Sequence, residues 1–118
     1  MPLSLTRAFD RKVNLNTQIR RSAGMMIYEL HISWPHPDET QDNLSFTTIV
    51  GVGVPETGES IYVEIKKAED KAYHRTIAKL EGAAYAASLE EGTDEDAWGF
   101  LAARDSLKRA ASEFGWGR

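Results

Sequence analysis

The spacing of apolar residues changes once along this chain, and that change constrains the fold more than any other feature. Up to about residue 66 apolar residues alternate with polar ones, which is the period of a β-strand. From about residue 68 they recur at the three- and four-residue spacing of a helix. Strands followed by helices are typical of the α+β class, and the links between the strands are too short for crossover helices. At 118 residues, the sequence predicts one α+β domain: an antiparallel meander of three to four strands, then two helices packed on one face.

Four segments carry the strand period. The clearest is 25–34, in which an apolar set alternates with Glu29, His31 and Ser33, as expected for a sheet with one buried and one wetter face. The others are 12–20, 44–54 and a short last strand formed by Ile61, Val63 and Ile65. Gly51 and Gly53 share a face of the third segment and predict a bulge or a close approach by another group.

Two helices are predicted after the strands. The first covers about 68–90, with its apolar stripe at Tyr73, Ile77, Leu80, Ala84 and Ala87. The second follows Thr93, a good N-cap, and places Asp94, Glu95 and Asp96 at the positive end of the helix dipole. Its stripe is Phe100, Ala103, Leu107, Ala110 and Phe114, and Gly115 is placed to be the C′ residue.

Charge is unevenly distributed along the sequence. Residues 1–23 hold five basic residues and one acidic residue, a net charge of +4, whereas the rest holds nine basic and seventeen acidic residues, a net charge of −8. A basic arm on an acidic body can contact a polyanion, because each neutralised phosphate releases counterions. It can equally pack on the protein's own acidic face or on a neighbouring subunit. Both interpretations stay open.

Composition and motifs argue against several kinds of chemistry. The chain has no cysteine, which excludes disulfides and thiolate nucleophiles and fits a reducing, cytoplasmic compartment. No apolar run reaches the roughly 20 residues that span a bilayer, and the N-terminus lacks an apolar core of signal-peptide length. His31, His36 and His74 do not form a set at metal-ligand spacing. We therefore predict a non-enzymatic protein with no metal, no cofactor and no membrane association.

The segment from Leu101 to Arg118, LAARDSLKRAASEFGWGR, concentrates positive charge on a helix of an otherwise acidic domain. Arg104 and Lys108 flank the apolar stripe, and Arg109 points away from the body. The simplest alternative is a surface ion pair between Asp105 and Arg109 at i and i+4. Among the tryptophans, Trp34 and Trp98 are predicted to be structural. Trp116 lies past the helix end and could stack on a base, or pack at a subunit boundary.

The order Ala-x-Asp-Ser-Leu-Lys-Arg-Ala-Ala-x-x-Phe-Gly-x-Gly-Arg in this segment resembles the signature helix of the single-strand annealing superfamily, which includes DdrA-like proteins and phage recombination mediators. The resemblance implies a β-β-β-α module that assembles into homo-oligomeric rings and holds single-stranded DNA in a basic outer groove, acting in recombination or repair. It also implies that Lys108 and Arg109 hold the DNA backbone. The predicted nucleic-acid contacts are Arg104, Lys108, Arg109, Trp116, Arg118, Arg20 and Arg21.

Two alternative functions accompany this prediction. The stretches IYEL, HPDE, LSFTTIVGVGV and KKAEDKAYHRTIAKLEGA are similar to a double-stranded-RNA-binding domain, in which Lys66 and Lys67 would clamp phosphates. That fold begins with a helix, whereas residues 12–20 are predicted to form a strand. The other alternative is a small phage- or plasmid-type interaction module whose sheet face or acidic body docks on a protein partner.

Overall fold

The computed structural model describes residues 13–36, 40–90 and 94–116, and it has the predicted α+β architecture. Three strands precede two helices. Their bounds are β1 Asn14–Ser22, β2 Met25–Trp34, β3 Leu44–Gly51, α1 Ile61–Ser88 and α2 Asp94–Phe114. None of the helices in the described ranges is both long and apolar enough to cross a membrane.

The sheet is an antiparallel meander in the order β1-β2-β3, so β2 is the central strand. Ala23 and Gly24 connect β1 to β2 with φ angles of 52° and 79°, the pair of positive values that a two-residue type I′ hairpin requires. Gln18 lies opposite Glu29, and Leu30 lies opposite Thr48. Because side chains alternate along each strand, this register puts Met26, Tyr28, Leu30, Ile32 and Trp34 of β2 on one face.

Both helices cover that apolar face, as predicted. β2 contributes its buried side chains at every second position: Tyr28, Leu30, Ile32 and Trp34. α1 lies over β2 and β3 through a stripe of mostly small residues, Ala68, Ala72, Thr76, Leu80 and Ala84. The small side chains allow the helix to approach the sheet closely. Two buried polar residues at this contact, Thr48 and Thr76, are joined by a hydroxyl–hydroxyl bond of 2.7 Å.

α2 packs beside α1 and reaches the end of β2. Ala103, Leu107 and Ala111 are buried along its inner side. Near its start, Phe100 stands edge-on to Trp34, with ring centroids 5.6 Å apart, and stacks on Phe46 at 5.9 Å. Trp34 is therefore structural, as predicted.

The predicted strand at residues 61–65 is wrong, because these residues form the first turns of α1. Ser60 is the N-cap, and its hydroxyl accepts a hydrogen bond from the Tyr62 amide at 3.1 Å. Ile61 and Ile65 are four residues apart, so a run that alternates with period 2 over five residues also fits one helical face. Val63, which lies between them in the sequence, is exposed.

The other boundaries are close to the predicted ones. β1 starts and ends two residues later than 12–20, and β3 stops at Gly51 rather than at residue 54. Gly53 is closely approached, since a Cβ there would lie 2.7 Å from Glu64 Oε2. Gly115 is the C′ residue, with a φ of 76°. Thr93, Arg118 and residues 1–12 of the predicted basic arm lie outside the described residues.

Candidate nucleic-acid interface

Lys108 and Arg109 lie on the solvent side of α2, immediately after the buried Leu107. Both side chains are exposed. The Lys108 ammonium makes no hydrogen bond or ion pair with any described residue, and Arg109 donates only to the Ser106 hydroxyl, at 3.3 Å. Consecutive helical residues point about 100° apart, so the two cations face different directions from the same turn. The helix therefore presents two adjacent positive charges that no described carboxylate neutralises.

Asp105 does not pair with Arg109, because Arg104 occupies it. Arg104 donates through Nε and Nη2 to Asp105 Oδ1 at 3.1 and 3.0 Å, and its Nη1 lies 3.3 Å from Glu81 Oε2 on α1. Hydrogen bonding to Asp105, with a smaller contribution from Glu81, raises the pKa of Arg104 further above its ordinary value. Arg104 thus links the two helices, and its charge is largely compensated.

Trp116 is packed in the core and is only 6 % exposed. Its ring lies 6.2 Å from that of Tyr73, between centroids. The turn at Gly115 folds the chain back so that the Trp116 amide donates to Ala111 O at 3.0 Å, and Lys66 Nζ donates to Gly115 O at 2.6 Å. In this position the indole cannot stack on a base without leaving the core.

The two arginines at the end of β1 are not brought together with the basic turn of α2. Leu15 lies beside α2, where it lines a small cavity with Ser106 and Ala110. Arg20 is five residues further along β1, about 17 Å at the usual strand rise. Arg21 is exposed on the helix-facing side of β1, and Arg20 lies on the opposite face.

The open face of the sheet carries a network centred on Glu29, which the sequence did not predict. Glu29 is 3 % exposed although the helices lie on the other face, because neighbouring side chains cover it. Gln18 Nε2 and Arg20 Nε donate to its two oxygens, each at 2.6 Å, and His31 Nε2 lies 3.0 Å away. The Gln18 hydrogen bond, then those of His31 and Arg20, lower the pKa of Glu29 to about 2. Arg20 is therefore already paired.

Replacing Glu29 with glutamine should give a pH-dependent loss of stability. The folded state lowers the pKa of this carboxyl from 4.5 to about 2, so the carboxylate stabilises the fold above pH 4.5, and that contribution is lost as the pH falls toward 2. Urea unfolding should show a clear deficit for Glu29→Gln at pH 6.5 that shrinks by pH 3. Glu113→Gln, which removes an exposed carboxylate of α2, serves as the control. A deficit of equal size at both pH values would show that the charge of Glu29 is not what stabilises the network.

The helices leave the inner face of β1 largely uncovered. An open groove of about 690 Å³ runs between Leu15 and Thr17 of β1, the first half of α1 and the end of α2. The ring of Tyr28 forms part of its wall, and the buried Tyr28 hydroxyl has no hydrogen-bond partner among the described residues. Burial raises the pKa of Tyr28 to about 12. The neighbouring Thr17 side chain acts to lower this pKa, and the negative charge of Glu69 acts to raise it. The hydroxyl therefore stays neutral at physiological pH.

Comparison with known proteins gives no relative: no family model, no curated protein and no solved structure matches this chain.

Proposed function

We propose that this protein binds single-stranded nucleic acid through the exposed cations of α2 and that it does so without catalysing a reaction. The proposal rests on the exposure of Lys108 and Arg109 and on their positive charge. Both are exposed and neither is neutralised by a described carboxylate, in a chain whose net charge is −4. A protein with this overall charge attracts a polyanion only where positive charge is locally unpaired.

Binding of this kind follows from counterion release. Each phosphate that Lys108 or Arg109 neutralises frees condensed cations from the strand, so affinity falls steeply as salt rises. Arg109 also offers a planar fork that fits a phosphate bidentately, whereas Lys108 acts as a point charge. Arg104 has a supporting role, since its ion pair with Glu81 links α2 to α1, while Asp105 pairs with it within α2.

The resemblance of residues 101–118 to annealing proteins supports DNA as the polymer, recombination or repair as the setting, the cytoplasm as the location and several copies as the working form. Three strands precede the helix that carries the resemblance, as in the implied module, although α1 lies between them. Double-stranded RNA is less well supported, because the two lysines that would clamp its phosphates already have partners. Lys66 donates to Gly115 O, and Lys67 pairs with Glu64 at 3.2 Å.

Neutralising both cations should weaken binding strongly. For Lys108→Gln with Arg109→Gln we expect the affinity for a fluorescent 30-nucleotide single strand to fall roughly 10- to 100-fold at 50 mM salt, since each cation accounts for a salt slope of about 0.7. Fluorescence anisotropy measures this directly. The matched control is Lys71→Gln with Arg75→Gln, which removes the same charge from two exposed positions of α1.

The control decides between a site and diffuse charge. If both double variants weaken binding equally, the affinity reflects the overall charge of the protein rather than α2. If the unchanged protein binds no oligonucleotide at low salt, the proposal is wrong.

A protein-docking function is the second candidate, and one surface favours it. Around the β1–β2 turn, Met25, Val54 and Ile61 are exposed, Val54 to 90 %. Large apolar side chains grouped at one end of a domain commonly mark contact surfaces. If the protein does not shift DNA in a gel-shift experiment, that result would support this candidate.

A further inference from the structure

The two edges of the sheet differ in whether they are blocked. On β3, Lys79 of α1 donates to Thr47 O at 3.0 Å and to the Thr48 hydroxyl at 3.2 Å, which places a charged side chain across the outward-facing backbone. A lysine at this position discourages pairing with another strand. On β1, no described segment pairs with the outer edge, although the strand is nine residues long.

The hairpin fixes which backbone groups β1 presents at that edge. Ser22 and Met25 close a two-residue turn, so they exchange hydrogen bonds, and every second residue back along β1 also bonds to β2. The residues between them point their N–H and C=O groups outward. These are Leu15, Thr17, Ile19 and Arg21.

The same alternating residues carry side chains on the inner face of the sheet, beside the groove. Leu15 is half-buried, Thr17 is exposed and Ile19 is 44 % exposed, because the helices pack on β2 and β3. The edge therefore has both unpaired backbone groups and uncovered apolar side chains. An added strand satisfies both requirements at once.

We propose that β1 of a second copy of this chain occupies the edge, antiparallel, about a two-fold axis at Thr17, and joins two sheets into one of six strands. In this register Thr17 faces its own counterpart, and Leu15 faces Ile19 of the second copy in both directions. All of these residues point their backbone groups outward, so each pair exchanges two hydrogen bonds. A shift by two residues either way separates Leu15 from Ile19.

The opposite face of the sheet is compatible with this pairing. Asn16 would face Gln18 of the second copy, and Asn14 would face Arg20, so no two like charges are opposed. A two-fold contact uses the same patch on both copies, which is the commonest form of homo-oligomer interface.

A single cysteine at the axis tests this arrangement, because the natural chain contains none. Facing residues in such a pair have Cα atoms about 5.5 Å apart, which a disulfide spans. We expect full-length Thr17→Cys to form a covalent dimer under mild oxidation. Ser45→Cys is the matched control, since it is an exposed outward position on the β3 edge. Sedimentation of the unchanged protein should show a dimer whose fraction rises with concentration.

The register has its own test. Leu15→Cys and Ile19→Cys should each link poorly alone, and a mixture of the two, distinguished by an affinity tag, should give the heterodimer. Two results together would overturn the proposal. The unchanged protein would be a monomer at every concentration, and Thr17→Cys would link to the same extent as Ser45→Cys, whether both link or neither does. Efficient self-linking of Ile19→Cys would overturn the register.

Discussion

Replacing Leu107 with alanine should lower the free energy of unfolding by about 2–5 kcal/mol. Leu107 lies on the inner side of α2 and is 1 % exposed. It belongs to the same core cluster as Ile32 of the sheet and Leu80 of α1. Removing its three terminal carbons loses their transfer free energy and leaves a cavity that these close-packed neighbours fill only in part. Urea or thermal unfolding followed by circular dichroism measures the loss.

The neighbouring Lys108 provides the contrast. Lys108→Ala changes an exposed side chain on the same helical turn and should alter stability by no more than about 0.5 kcal/mol. The two substitutions therefore separate the inner side of α2, which stabilises the fold, from its outer side, for which we propose nucleic-acid binding. A cost below about 1 kcal/mol for Leu107→Ala would mean that α2 does not dock as described.

Trp116→Ala should be about as damaging, with an expected loss of about 3–5 kcal/mol. The indole is nearly fully buried against Tyr73, and it lies where the turn at Gly115 brings Trp116 back onto α1. Because the substitution keeps the backbone amide, the bond from Trp116 N to Ala111 O can persist, and the loss comes from packing.

Trp98→Ala is the control, because that tryptophan is 38 % exposed and should cost clearly less. The same experiment distinguishes packing from base stacking. If Trp116→Ala leaves stability unchanged but weakens oligonucleotide binding by the roughly 1–3 kcal/mol that a stacked base supplies, the ring contacts nucleic acid instead of the core.

The sequence was sufficient for the class of fold because hydrophobic period records which face of each element is buried. It placed β2, α2, the end of α1 and the Gly115 cap well. It was insufficient at residues 61–65, because a run of five residues cannot distinguish a period of 2 from one of 3.6. In the structure the Ser60 cap marks this run as the start of α1. Local patterns of this length are resolved by the surrounding structure.

Long-range contacts explain the remaining differences at the candidate site. Trp116 is buried by Tyr73, and its turn is held by Lys66, 49 residues before Gly115. Arg20 is paired because the strand register brings Glu29 beside it. Neither contact follows from spacing along the chain. The available signal for the Glu29 network was that Gln18 and Arg20 alternate on one strand and Glu29 and His31 on the next. This signal predicts contacts only once the hairpin register is known.

The dependence of oligonucleotide affinity on salt tests the central claim most directly. We expect the logarithm of the association constant to fall linearly with the logarithm of salt concentration, and the slope to decrease by about 0.7 to 1 when Lys108 alone becomes glutamine. A slope that is unchanged by Lys108→Gln, or an affinity that does not respond to salt, would contradict the assignment of nucleic-acid binding to the outer side of α2.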